Sequence, residues 1–367
     1  MSRILLFHLF SNGDCLYATV VAKQIKHDHP GCHLTWAIAA NCKSIIENNP
    51  YVDKIIEINM HPGEDKESEF HKHLDFFYSQ KLNGFYDEIV TTQIIGDAFS
   101  KYDGCVSTSI YRRYGKPITV GYKPVLVLTN EEEQKAQDFV KRNNLNKFKQ
   151  VILFECAPMS GQINFTLEFI ETFTKAITSN SEVAVVLSSA NKIPVKIDGV
   201  FDGSQLTIRE TVALSKYCSL LLGCSSGITW ATTTIEDRQI PMVQILDKEA
   251  YIFNPPSITF EKTKQWTNDI IELYQLDVDQ LISCIREIFN QDFLFAKNRY
   301  HQRAPQNFRI YRGIVHSLIL RKEFSKLLSF LKLNVREHGF KRKMLFAILK
   351  GIVLFPIQYR VNKKIGG

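Results

Sequence analysis

Apolar residues in this chain fall into short continuous runs separated by amphipathic stretches, and that alternation sets the expected architecture. Residues 3–10, RILLFHLF, form an apolar run of the kind a parallel sheet buries on both faces. Residues 15–30, CLYATVVAKQIKHDHP, follow with helical period and stop at Pro30. HLTWAIAA at 33–40 predicts a second strand, CKSIIENNP at 42–50 a short helix, and VDKIIEIN at 52–59 a third strand. A polar stretch then leads into an aromatic helix near 74–83, and FYDEIVTTQ at 85–93 predicts a further strand. Residues 105–130 are rich in turn residues and lack helical period, which marks the approach to an interdomain linker.

A second series repeats the alternation. A helix is expected over 131–144, with acids in its first turn and bases later. Strands are expected at QVILFECA (150–157), EVAVVLSS (182–189) and SLLLGCSS (219–226). Between them lie helices at 167–178 and 207–218, the latter opened by a Thr207-x-x-Glu210 capping box. ITWATTTI and PMVQILD continue the pattern. The prediction is an α/β chain of two doubly wound, Rossmann-like domains facing across a cleft, at 1–125 and 126–300, followed by a basic helical extension at 301–367. A length of 367 residues suits two cores better than one.

Charge separates the extension from the rest. From Asn298 onward, 16 Lys and Arg face two Glu, a net +14, whereas residues 1–297 carry 29 Lys and Arg against 36 Asp and Glu, a net −7. A uniformly basic domain would suggest nucleic acid. A basic, apolar-interleaved end on an acidic body points to an anionic membrane surface met through residues 310–367, and to no nucleic acid partner. The apolar segment near 344–355 is too short to span a bilayer, and Lys350 interrupts it while Pro356 is expected to bend it. Met344, Leu345, Phe346, Ile348, Leu349, Ile352, Leu354 and Phe355 are the expected lipid-facing residues, unless the segment is a helical cap or a partner-binding helix. The eight cysteines show neither zinc spacing nor a disulfide framework, and the N-terminus lacks a signal-peptide pattern. A cytoplasmic protein, peripheral on the inner face of the cytoplasmic membrane, is the expected location.

The polar break Ser11-Asn12-Gly13-Asp14 after the first strand carries the first candidate chemistry. A dinucleotide loop needs further glycines that Gly13 lacks. An ordinary turn with Asp14 as helix cap remains open, as does an acid held at the crevice beyond the strand ends. His8, three residues earlier, can face either that crevice or the core. Arg112 and Arg113 can reach an acidic acceptor or stay solvated.

The run from Arg3 to Ile56, with its Ser-x-Gly-Asp turn, its Trp36 strand and Asn49-Pro50-Tyr51-Val52-Asp53, resembles the start of the lipopolysaccharide heptosyltransferases, a likeness that resumes loosely over 151–231. The resemblance implies a GT-B glycosyltransferase that inverts the anomeric centre without a metal or other cofactor. The donor would be a nucleotide-diphosphate sugar such as ADP-heptose, and the acceptor a lipopolysaccharide, capsule or other lipid-linked glycan. It makes Asp14 the general base, with Asn12, Gly13 and Arg113 on the acceptor side. The turn Ser225, Ser226, Gly227, Ile228, Thr229 takes the donor position, with Ser225 where the family has Asp and Trp230 where it has His. Ser160, Gly161 and Gln162 form the other donor loop, and Gln162 stands where relatives carry Lys. Lys192 and Arg209 are candidate replacement cations for the leaving diphosphate. Glu210 is either a ribose contact or the capping-box acid. A nucleotide-sugar epimerase and a non-catalytic scaffold of a glycan assembly complex are the alternatives.

Overall fold

The computed structural model describes residues 1–60, 63–158, 163–235, 239–247, 255–263, 269–302 and 306–365, with backbone alone for 96–97 and 354–365. The first series folds as β1 (Arg3–Phe7), α1 (Asn12–Asp28), β2 (His33–Ala39), β3 (Lys54–Ile58), α2 (Lys66–Leu82), β4 (Glu88–Thr91) and α3 (Val106–Arg113). Its four parallel strands run in the order β3-β2-β1-β4. The second series gives α4 (Asn130–Arg142), β5 (Gln150–Glu155), α5 (Leu167–Thr178), β6 (Val183–Ser188), β7 (Val200–Asp202), α6 (Ile208–Ser215) and β8 (Leu220–Gly223). It continues through α7 (Gly227–Thr232), β9 (Met242–Ile245), α8 (Pro256–Thr263), β10 (Ile270–Leu273), α9 (Val278–Asn290) and α10 (Phe293–Tyr300). These six strands, also parallel, are ordered β10-β9-β8-β5-β6-β7. In both sheets the chain winds outward from its first strand one way and then the other, the doubly wound topology expected of two Rossmann-like units.

Two local expectations differ. Residues 106–113 form α3 rather than irregular turns, because Ser107, Ser109, Ile110 and Tyr111 are buried by packing that their local sequence period does not reveal. The segment at 42–50 holds only a 3₁₀ turn, Ala40–Ile45.

The halves share a packed seam. One apolar cluster runs from Leu16 and Trp36 of the first half to Leu153, Val212 and Trp230 of the second. At its centre the Trp230 ring lies 5.2 Å from Tyr17 and 5.4 Å from Phe260. All eight cysteines are buried, and none forms a disulfide.

The C-terminal segment forms α11 (Arg309–Leu320), α12 (Phe324–His338) and α13 (Arg342–Ile365), which runs through Pro356 as helix. Tyr311, Ile314, Val315, Leu318, Phe330, Met344 and Ile348 build a core of their own around Tyr102 of the first half. Asn334 Nδ2 donates to Tyr102 O at 3.0 Å, and a ring nitrogen of His338 bonds Asp103 O at 2.8 Å. Met344 and Ile348 therefore face the body, against expectation, because that helix face meets α11. Phe346, Leu349 and Ile352 are exposed, and the side chains of Leu354 and Phe355 lie outside the described residues. Among the described residues no helix is long and apolar enough to cross a membrane.

Gly351 permits the close crossing of α11 and α13. A Cβ there would lie 2.7 Å from Arg312 O and 2.9 Å from Val315 Cβ. Gly351→Ala is expected to loosen the module by about 1–3 kcal/mol, read as a lower unfolding midpoint; an unchanged midpoint would mean that the crossing is not tight.

Candidate active site

Parallel doubly wound sheets leave a crevice beyond the carboxyl ends of their strands where the winding reverses. In the first sheet that point lies between β1 and β4, and the chain there is bound tightly. Gln93 Oε1 accepts from the amides of Leu9 at 3.0 Å and Phe10 at 2.8 Å. His8 Nδ1 meets Thr92 Oγ1 at 2.8 Å. Ser11, which precedes α1, has φ of 70°, a backbone region costly for a residue with a side chain. Helix α1 begins at Asn12, so Asp14 lies inside its first turn rather than capping it; Ser11 is the N-cap, without a side-chain cap bond.

The second sheet reverses between β5 and β8, and its turn has the same features. Ser225 has φ of 60° just before α7. Its amide donates to Gln244 Oε1 at 2.6 Å, and Thr229 Oγ1 donates to the same oxygen at 3.1 Å. Ser226 is the N-cap of α7, but its hydroxyl donates instead to Glu155 Oε1 at the end of β5.

The two turns touch. A Cβ on Gly227 would lie 3.3 Å from Asn12 Cβ and 3.7 Å from Gly13 N. A Cβ on Gly13 would lie 3.5 Å from Trp230 Cδ1. Two acids flank this contact. Asp14 is partly exposed yet so surrounded by protein that loss of water raises its carboxyl to about 7. Burial pushes Glu155 up to about 7 as well, against the bonds from Ser226 and the Cys224 amide. His8 goes the other way: burial, aided by the positive charge of Arg113, lowers its imidazole to about 3 and keeps it neutral.

A glycosyl transferase family 9 protein of Veillonella parvula has the same fold, with a TM-score of 0.56 and 14% identity over 79% of this chain and 90% of its own. ADP-heptose lps heptosyltransferase II of E. coli superposes with a TM-score of 0.53 and 13% identity, over 80% of this chain and 99% of its own. The fold is GT-B. No protein-family profile matches the sequence, and no curated protein does. About a fifth of this chain lies outside either superposition.

In this GT-B frame the expected site residues separate into groups. Asn12 and Gly13 lie against Gly227 between the two sheets; Asp14 follows them in α1, and Ser225, Ser226, Ile228 and Thr229 flank Gly227 in its own turn and helix. The Asn12 Oδ1 atom is buried there without a hydrogen-bond partner among the described residues. Arg113 stays close: its Nε donates to Thr91 O at 3.1 Å and its Nη2 to Thr91 Oγ1 at 2.8 Å, holding the end of β4. Arg112 instead pairs with buried Asp103 at 3.1 Å. Lys192 is exposed in the loop after β6. Ser160, Gly161 and Gln162 lie outside the described residues.

Arg209 does not serve as a cation for the donor. It is buried, and its five N–H groups are all committed: to both Glu132 oxygens, to Val127 O, to Ser44 O at 2.9 Å and to Glu47 O at 3.3 Å. Glu210 is the capping-box acid. Its Oε2 accepts from the Thr207 amide at 2.8 Å and its Oε1 pairs with Lys135 at 3.1 Å, with the side chain buried. Among the described residues, no group of three or more His, Cys, Asp or Glu side chains is placed to hold a metal ion.

Three further polar residues of the site, Glu155, Gln244 and Gln93, have no role assigned from sequence, although Glu155 opens the expected second donor loop. The available signal was a carboxylate or amide within or just after an apolar strand, since a polar group buried there needs a hydrogen-bond partner.

Glu155 Oε2 has no partner among the described residues. Its carboxyl titrates near 4.5 when unfolded and near 7 when folded. Between those values the folded state keeps a proton that the unfolded state has lost, so its contribution to stability falls as pH rises through that window. Glu155→Gln is expected to raise the melting temperature by about 2–4 °C at about pH 8.5, with the gain vanishing near about pH 5. An equal effect at both would contradict the titration.

Proposed function

We propose that this protein is an inverting, metal-independent glycosyltransferase. In this reading it moves a sugar from a nucleotide-diphosphate sugar to a lipopolysaccharide, capsule or other lipid-linked glycan, at the inner face of the cytoplasmic membrane. The observation that carries the reading is Asp14: an acid in the first turn of α1, at the reversal of the first sheet, opposite the Ser225–Thr229 turn of the second, with a carboxyl raised to about 7. A base must be ionised at working pH yet avid for a proton, and that value meets both demands.

In the proposed step the acceptor hydroxyl gives its proton to the Asp14 carboxylate while its oxygen attacks the anomeric carbon. The bond to the diphosphate breaks on the opposite face, and the electron pair leaves with the phosphate oxygen. Arg113, anchored on Thr91, lends positive charge to an anionic acceptor on the first side. On the second side the Ser225–Thr229 turn would meet the donor, with Lys192 as the candidate cation and Arg209 set aside. The E. coli neighbour is an ADP-heptose enzyme, so ADP-heptose is the first donor to try. Attachment to the anionic membrane surface through residues 310–367 completes the reading.

Asp14→Asn is expected to lower the release of nucleoside diphosphate by about 10²–10⁴-fold while leaving donor binding by calorimetry unchanged. Retained turnover would remove Asp14 as the base. For the wild type, kcat/KM should climb with pH and level off above about 7, because only the ionised carboxyl accepts the proton. For the attachment, Leu349→Ser with Val353→Ser should weaken co-sedimentation with anionic vesicles and leave the melting temperature unchanged, both residues being exposed; undiminished sedimentation would count against it.

A further inference from the structure

Helices α11 and α13 border a cavity of about 710 Å³ that opens to solvent past Phe346, itself 60% exposed. Arg309 and Arg312 line it from α11, and Lys343, Phe346 and Lys350 from α13. Among the described residues no acidic side chain lines it, and Arg312, Lys343 and Lys350 have no acidic partner. Lys343, Phe346 and Lys350 recur at spacings of three and four, so they share one face of α13. The Lys350 ammonium sits 4.4 Å from the centre of the Phe346 ring.

A concave surface lined by one sign of charge concentrates the opposite sign. Guanidinium and ammonium groups together suit phosphate, the fork of Arg312 engaging two oxygens and the lysines adding point charges. The volume lies in the range of small-molecule sites and far exceeds what a lone phosphate fills. Beside the cationic edge runs an apolar ridge, Phe346, Leu349 and Val353, exposed by 60%, 57% and 62%. The opposite face of the helix, Met344 and Ile348, is buried in the module. Charge over a cavity beside an exposed apolar ridge matches a headgroup whose hydrocarbon begins where its phosphate ends.

We propose that this cavity is a binding site for the phosphomonoester headgroup of an anionic lipid. The proposal rests on the membrane attachment put forward above and sharpens it from diffuse attraction to one defined site. Full-length protein is mixed with phosphatidylcholine vesicles carrying phosphatidic acid or phosphatidylserine at matched surface charge. The wild type should prefer the phosphatidic acid vesicles, whose phosphomonoester enters the cavity. Arg312→Gln with Lys343→Gln should weaken that binding about tenfold or more, as the loss of one charge-assisted hydrogen bond implies. Lys332→Gln with Arg336→Gln removes the same charge from exposed positions on α12 and should weaken it less than about twofold, the worth of exposed charge. Melting temperatures of both variants should match the wild type, and Lys350→Gln, a milder change, should fall between them in binding.

Equal losses from the two double variants would overturn the site while leaving the attachment standing. Absence of binding to any anionic vesicle would overturn both. Inorganic pyrophosphate supplies the last arm: tight binding of free pyrophosphate to the wild type, without a preference between the two vesicles, would assign the cavity to a soluble phosphate and overturn the lipid.

Discussion

The relation between the two sheets depends on one buried guanidinium. Arg209, in the first turn of α6, bonds Ser44 O and Glu47 O of the first half, Val127 O of the crossing segment and both oxygens of Glu132 on α4. A buried charge is tolerated only when it is fully partnered, and here the partners come from segments that no local interaction would gather. Satisfying Arg209 thus requires the first half, the linker and α4 to meet in one arrangement. The same arrangement presses the aromatic seam of Tyr17, Trp230 and Phe260 together and brings Gly13 against Gly227.

That contact explains why the two acids behave unlike surface carboxylates. Glu155 ends β5 and Asp14 lies in the first turn of α1, and beside each the chain turns through a residue in an unfavourable backbone conformation, Ser225 and Ser11. Among the described residues neither has a cation close enough to offset the loss of water, and both carboxyls rise to about 7. The glutamines Gln93 and Gln244 complete the symmetry by taking the amides of the two turns.

The C-terminal helices add a different physics. Their core closes on Tyr102 and Asp103, so the chain returns to its first half after traversing the second. Asp103 is held well below the ordinary range, to about 2: burial alone would raise it, but Lys262 and Arg112 more than offset that. The module thus has a body-facing core, while Arg312, Lys343 and Lys350 on its outer edge have no acidic partner among the described residues.

The sequence by itself determined the alternation of strand and helix, the doubly wound class, the capping box at Thr207 and Glu210, and the charge contrast between body and extension. These follow from local periodicity and composition, which need no knowledge of what packs against what. It also brought forward Asp14 and Ser226, because both close strand-to-helix turns whose residue types are visible in short windows. Helix α3, the inward turn of Met344 and Ile348, and the roles of Arg209 and Glu155 were decided only by tertiary structure. Arg209 is a cation in sequence and a clamp in the fold because its partners lie 77 to 165 residues away. Glu155 acquires a raised carboxyl only when the fold buries it, against the opposing bond from Ser226, 71 residues on. Charge state and burial are properties of distant neighbours, and no window along the chain contains them.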